Sequence, residues 1–291
     1  MITKFGKRFL TTCIAGMNSF NRQDLAIGID STSPNVNGND TRLGFEFYRL
    51  PVSFGGIDIQ TVGGVTTYSV VYKTTIPQDV AGTITEIGLY PSSRTSVNNY
   101  DNKFIADFED NLIWFDSLNA NPSLVTTPTP RIGNSMIQVT ATANTTKEFK
   151  TSFPFFDISG YSSNDTLTLA INQGDSNLDY INVRFYTSET SYYQISYDGS
   201  DIDTGTGNKI LSRSLSTMTS VNTPGPLVSK VSVIVAAKSS GTTNVYFDGL
   251  RINDEDTFDP TFGIIARSTV SPITKVTGRP LDLEYKLGIN F

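Results

Sequence analysis

The chain has 291 residues, a formal net charge of -6 and only 17% charged residues, and no basic run exceeds Lys7-Arg8. That balance opposes nucleic-acid binding, which depends on clustered Lys and Arg. It has no histidine and a single cysteine, Cys13. This excludes Ser-His-Asp and Cys-His catalysis, His-ligated metals, an intramolecular disulfide and a thiolate zinc cage.

The missing charge is replaced by Ser, Thr, Asn and Gly, and runs of Ala, Leu, Glu and Lys at helical spacing are nearly absent. The fold class expected is therefore all-β. MITKFGKRFLTTCIAGM places Lys4, Lys7 and Arg8 ahead of a short apolar stretch. It superficially resembles a secretory leader, but Thr11 and Thr12 break the apolar stretch, and a short amphipathic helix is expected. No window approaches the ~20 apolar residues of a membrane span, so no membrane insertion is expected.

Strands follow at LAIGI (25–29) and LGFEFYRLPVSF (43–54). IDIQTV, Gly63-Gly64 and VTTYSVVYKTTI (65–76) read as a hairpin whose glycines supply positive φ. TITEIGLYP (83–91) is a further strand, and SSRTSVNNYDN (92–102) a loop. A second block opens at KFIADFEDNLIWFDS. Its strands are predicted at 135–143, 147–156, 165–174, 180–188, 191–198, 209–215, 230–238 and 244–252, with turn residues between them. Eight strands at this spacing predict a jelly-roll β-sandwich.

After the polar stretch NDEDTFDPTFG (253–263), ARSTVSPITK precedes LDLEYKLGINF, in which Leu281, Leu283, Tyr285, Leu287, Ile289 and Phe291 alternate with polar residues and glycine. That is a half-buried strand. If residues 106–256 complete their own sandwich, this tail most economically returns to the first sheet. The domains expected are a small β-sandwich anchor domain formed by 1–105 and 257–291, with an inserted jelly-roll domain at 106–256. Such insertions are tolerated at exposed loop tips whose ends lie close together.

The phrases AIGI, NDTRLGFEFYRLPV and Glu86-Ile87-Gly88-Leu89-Tyr90, followed by Ala266-Arg267-Ser268 and Ser271-Pro272-Ile273-Thr274-Lys275, resemble the small β domain of bacteriophage tail-fibre and tail-collar proteins. In that family the two phrases are nearly adjacent; here a long insertion separates them. The resemblance implies a virion structural protein located in the virion. Its partners would be other virion proteins of the capsid or tail, and it would be a homo-oligomer such as a trimer. A tail-fibre or baseplate role stands beside a capsid decoration (cement) or head-fibre role, with a glycan depolymerase as the third reading.

The inserted block resembles the jelly rolls of carbohydrate-binding modules, with FEDN (108–111) and VYFDGLRI (245–252) at the positions of first and last strands. In that family a structural calcium often sits between those strands. The resemblance makes Glu109 and Asp248 the matching carboxylates, with Asp110 beside them as a further oxygen donor. The alternative is that Glu109 and Asp110 are turn residues and that Asp248 pairs with Arg251 or caps a bend.

A host-surface glycan is the expected small partner, because sugar rings stack on flat aromatic faces beside polar groups. Trp114, Tyr180, Asn182, Arg184 and Tyr186 are the candidate residues. In YINVRFY the polar and aromatic residues Tyr180, Asn182, Arg184 and Tyr186 share one face, opposite Ile181, Val183 and Phe185. The competing reading is that these tyrosines only cover the sandwich or an intersubunit contact. DGSDIDTGTGN (198–208) places Asp198, Asp201 and Asp203 in a glycine-rich context, but Lys209 stands where a calcium loop needs its glutamate, and a hairpin loop is expected. No carboxylate sits in a recognisable catalytic motif, so the protein is expected not to be an enzyme.

Overall fold

The computed structural model describes residues 1–16, 23–91, 102–151, 156–202, 205–253 and 263–289. The chain divides into a discontinuous unit, Met1–Val97 with Thr257–Phe291, and a continuous unit, Asn98–Asp256. The polar stretches 92–101 and 254–260, expected as loops, lie outside the described residues, as does Phe291.

The discontinuous unit opens with helix α1 (Lys4–Ile14), capped by Thr3, whose hydroxyl accepts the Gly6 amide at 2.8 Å. Its strands, numbered in chain order, are β1 (Gln23–Gly28), β2 (Glu46–Pro51), β3 (Ser53–Val62), β4 (Val65–Ile76), β5 (Gly82–Pro91), β20 (Ala266–Lys275) and β21 (Leu281–Ile289). They form a four-stranded sheet, β2-β1-β5-β20, and a three-stranded sheet, β21-β4-β3. One apolar cluster joins Leu25, Ile27 and Leu89 of the first sheet to Tyr72, Tyr285 and Leu287 of the second, with Phe9 and Leu10 from the helix.

The alternation of the tail is realised, with Tyr285 and Leu287 buried and Asp282, Glu284 and Lys286 exposed. β21 lies antiparallel to β4, with Leu281 opposite Ile76. β20 lies antiparallel to β5, with Ala266 opposite Leu89. The stretch 43–54, expected as one strand, is divided: β2 belongs to the first sheet and β3 to the second. Pro51 has no amide to continue the ladder, and Val52 donates instead to the Gln23 carbonyl at 3.0 Å.

The phrases that carry the tail-collar resemblance meet in one buried ion cluster. Arg267 donates from Nε to Glu86 at 3.1 Å, from Nη1 to Asp40 at 3.0 Å, and from Nη2 to Asp30 and the Thr32 carbonyl at 3.1 Å each. Glu86 is fully buried and also accepts the amides of Gly44 at 3.0 Å and Phe45 at 2.9 Å. Burial pushes its carboxyl up, while Arg267 and those two amides pull it down. The glycines of these phrases follow from the same packing, since a Cβ on Gly28 would run into Glu86 and one on Gly44 into Asp30.

The continuous unit contains β6 (Asn102–Ala106), β7 (Trp114–Phe115), β8 (Ser123–Val125), β9 (Met136–Ala141), β10 (Thr146–Thr151), β11 (Phe156–Asp157), β12 (Thr166–Gln173), β13 (Leu178–Tyr186), β14 (Tyr192–Asp198), β15 (Gly207–Ser214), β16 (Thr219–Val221), β17 (Leu227–Val228), β18 (Lys230–Ala237) and β19 (Thr243–Asn253). One sheet has the order β16-β14-β13-β18-β10-β7; the other is β15-β12-β19-β9-β8, with β6 also pairing β19. Leu167, Leu169, Phe247 and Leu250 of the second sheet pack with Val183, Phe185, Val231 and Val233 of the first in a single core. A strand is present at each of the eight expected places, the one expected at 147–156 being described as far as Thr151 with Phe156 opening the separate β11, and the architecture is the jelly-roll β-sandwich.

Two expectations change here. The first strand is β6, ahead of FEDN, and it is β6 that pairs with the last strand, β19. The stretch 198–208 is not a hairpin loop, because β14 and β15 belong to different sheets. Asp198 and Asp201 pair with Arg213 across this crossover, while Asp203 lies outside the described residues.

Candidate functional site

The five residues expected at a glycan site divide sharply. Trp114 is 1% exposed and stacks on Phe108 with ring centroids 5.0 Å apart, in the sandwich core. No sugar reaches its face, so Trp114 is a core residue and leaves the candidate set. Large aromatic rings bury extensive apolar area, and β7 is only two residues long; this indole is what secures that edge.

The other four lie, as the alternation of β13 predicts, on the face of the first sheet opposite the core. Registers across the sheet set their neighbours. Tyr180 stands opposite Asp198 and Ala236, Asn182 opposite Ser196 and Ile234, Arg184 opposite Gln194 and Ser232, and Tyr186 opposite Tyr192 and Lys230. On β10, Thr146 stands opposite Ala236, Glu148 opposite Ile234 and Lys150 opposite Ser232.

Side-chain packing closes part of this face. Tyr186 is 3% exposed: its hydroxyl donates to Glu148 at 2.9 Å, its ring lies 5.1 Å from that of Tyr192, and the Lys150 ammonium sits 4.6 Å from its centroid. It is not an open stacking platform, and the expectation that it is one is corrected. Arg184 donates to Gln194 at 2.7 Å and places its guanidinium 4.5 Å from the centroid of Tyr192. Asn182 is 8% exposed, and its Oδ1 and the neighbouring Ser232 Oγ have no protein partner. Buried polar atoms of this kind call for water or a ligand.

Tyr180 remains half-exposed. With Thr146 and the small Ala236 it forms one end of the face, where a pocket of about 610 Å³ opens, lined also by Asn144, Asp179, Lys238 and Ser240. The aromatic ring, the flat floor of Ala236 and the surrounding amide, hydroxyl, carboxylate and ammonium groups combine a stacking surface with hydrogen-bond donors and acceptors. Asn144, Asp179 and Lys238 carry no signal in the sequence that marks them. Strand register, which aligns β10, β13 and β18 and so brings their ends together, is what places them beside Tyr180.

The carboxylates expected to hold calcium converge only in part. Glu109 accepts the amides of Asn134 and Ser135, each at 2.9 Å. Asp248 accepts those of Arg131 at 2.9 Å and Ile132 at 3.2 Å. Both therefore clamp the same segment, residues 131–135, and a Cβ on Gly133 would collide with Glu109. Asp110 is turned away, capping the Leu112 amide at 2.8 Å.

Among the described residues no group of three or more acidic, His or Cys side chains is placed to hold a metal. Three of the four oxygens of Glu109 and Asp248 already accept backbone amides, and Asp110 caps a turn instead of joining them, so the three expected ligands are not assembled as a calcium set. Asp248 is buried, and desolvation pushes its pKa from 3.8 up to about 7 against those amides.

No family model matches the chain, and no curated protein sequence matches it. Solved structures similar to it include a family 11 carbohydrate-binding module of a cellulosomal cellulase of Clostridium thermocellum, at 13% identity over 53% of this chain and 94% of that one, with a TM-score of 0.37. A structure of carbohydrate-binding modules of the β-sandwich superfamily is similar at 13% identity over 80% of this chain and 85% of that one, TM-score 0.37. The enzymatically active domain of a tailspike protein of bacteriophage CBA120 is similar at 10% identity over 50% of this chain and 20% of that one, TM-score 0.29.

Proposed function

We propose that this chain is a non-catalytic, glycan-binding structural protein of a bacteriophage particle, belonging to a fibre, tail or baseplate. The discontinuous unit seats it on its virion partners, and the jelly roll meets the host glycan. The observation that carries the glycan reading is the pocket beside Tyr180, where a half-exposed ring and polar side chains share the face of the sheet opposite the core. Support for the virion reading comes from the tail-collar phrases, whose Glu86 and Arg267 are joined in one buried pair although 181 residues apart.

The test is binding of the whole protein to arrayed host-surface polysaccharides, repeated with Tyr180→Ala. A signal that this variant weakens by about twofold to tenfold supports the reading, since one lost stacking contact of about 0.5–1.5 kcal/mol changes affinity by that order. Absence of signal on every host polysaccharide sinks it. Copy number per purified particle decides the location. A dozen or so copies fits a tail or fibre, whereas hundreds fit a capsid decoration protein.

A further inference from the structure

The hairpin β3–β4 carries a large exposed apolar surface. Phe54, Ile57, Ile59, Val62, Val65 and Tyr68 are 44% to 75% exposed. Register places four of them on one face: Phe54 opposite Tyr72, Ile57 opposite Val70 and Ile59 opposite Tyr68. That face is continuous with the core, because Tyr72 and Val70 stand in turn opposite Tyr285 and Leu287 of β21. The apolar side of the three-stranded sheet thus runs out of the core and onto the exposed edge strand. The opposite side is polar, with Asp58 bonded to Lys286 at 2.8 Å and to Gln60 at 2.9 Å.

The two edges of this sheet are built differently. β21 carries Asp282, Glu284 and Lys286 within its nine residues, the charge pattern that discourages strand addition. β3 carries one charge in ten residues and neither lysine nor proline within the strand interior. Its outer edge has no ladder partner among the described residues.

We propose that β3 is a self-association edge, pairing antiparallel with β3 of a second copy to join two three-stranded sheets into one of six strands. Centred on Ile59, this pairing sets Ile59 against Ile59 of the second copy, Ile57 against Thr61, and Asp58 against Gln60. β-Branched side chains meet on the apolar face, and no like charges oppose each other on the polar face, where Asp58 already has Lys286. A two-fold contact of this kind uses one patch twice and closes. The pairing satisfies the free N–H and C=O groups along the outer edge of β3 in both copies and sets their exposed Ile59 side chains side by side.

The test is sedimentation velocity on the whole protein over a wide concentration range, beside the variant carrying Ile57→Lys and Ile59→Lys. Both positions are exposed, so the variant keeps the wild-type circular dichroism. The wild type is expected at twice the monomer mass and the variant at half the wild-type value. Independently, Ile59→Cys in a Cys13→Ser background is expected to yield a covalent dimer with a short bis-maleimide. A wild type that stays monomeric, a threefold mass, a lysine variant that keeps the wild-type mass, or a Cys-substituted protein that accepts a mono-maleimide but gives no cross-linked dimer would each overturn the proposal. Glycan binding at Tyr180 is unaffected by any of these results.

Discussion

At the scale of single residues, burial separates roles that chemistry alone leaves together. Trp114→Ala opens a core cavity and is expected to cost about 3–5 kcal/mol of stability, read as a lower urea midpoint, with glycan affinity unchanged where the protein remains folded. Tyr180→Ala is expected to do the reverse, leaving the midpoint within about 1 kcal/mol, as surface substitutions do. Asp248 makes stability depend on pH. Its folded-state pKa is raised from 3.8 to about 7, so the folded state favours the protonated form. The associated stability is complete below about pH 4 and is lost as pH rises through 7, by up to ~4 kcal/mol at 1.36 kcal/mol per pH unit. Asp248→Asn loses one acceptor for the amides of Arg131 and Ile132, and is therefore less stable at pH 4. Its deficit relative to wild type is expected to shrink between pH 4 and 7 in urea titrations at each pH; a constant deficit would show that Asp248 ionises normally.

At the scale of elements, two polar clusters hold strands and segments that lie far apart in sequence. Arg267 on β20 ties β5 to the loop residues Asp30 and Asp40. Arg267→Ala strands three carboxylates and is expected to cost about 3–5 kcal/mol, the usual result of removing one partner from a buried ion cluster. A thermal shift checks this, with Lys286→Ala as an exposed control that moves little. The segment 131–135 is held by Glu109 and Asp248 through backbone amides. Chelation with EDTA is therefore expected to leave the melting temperature unchanged, and calcium to leave it unchanged as well. A rise on adding calcium would show that the carboxylates exchange those amides for a cation.

Much at this scale was readable in advance. The period of two in LDLEYKLGI, the Gly63-Gly64 turn with φ of +59° and +82°, and the eight strands of the inserted block need only local pattern. Three features were not readable. The division of 43–54 at Pro51, the crossover at 198–208 and the pairing of β6 with β19 depend on which sheet a strand joins. Alternation is the same in either sheet, so it cannot choose between them.

At the scale of the whole molecule, each unit owns its core. The continuous unit's apolar cluster runs from Ile105 to Ile252 and includes no residue of the other unit; the discontinuous unit's cluster draws on residues before 90 and after 264. Residues 102–253 expressed alone are therefore expected to fold cooperatively, with a sheet-type circular dichroism spectrum and a melting transition matching one of the full chain's. A chain that is unfolded in isolation would count against two independent cores.

Composition and period-two alternation act locally, and they suffice for the all-β class, the strand content, the half-buried tail and the exclusion of histidine chemistry and of a thiolate zinc cage. Alternation also places Tyr180, Asn182, Arg184 and Tyr186 on one face, since a strand leaves no other choice. Which of those side chains meet solvent depends on packing across the sheet. Trp114 lies in the sandwich core, stacked on Phe108, which in turn packs on Phe247 of the last strand, and Tyr186 is covered by Glu148 and Lys150 of β10 and by Tyr192 of β14. Exposure is set by neighbours that strand register brings together, and register is fixed by packing of the entire sheet.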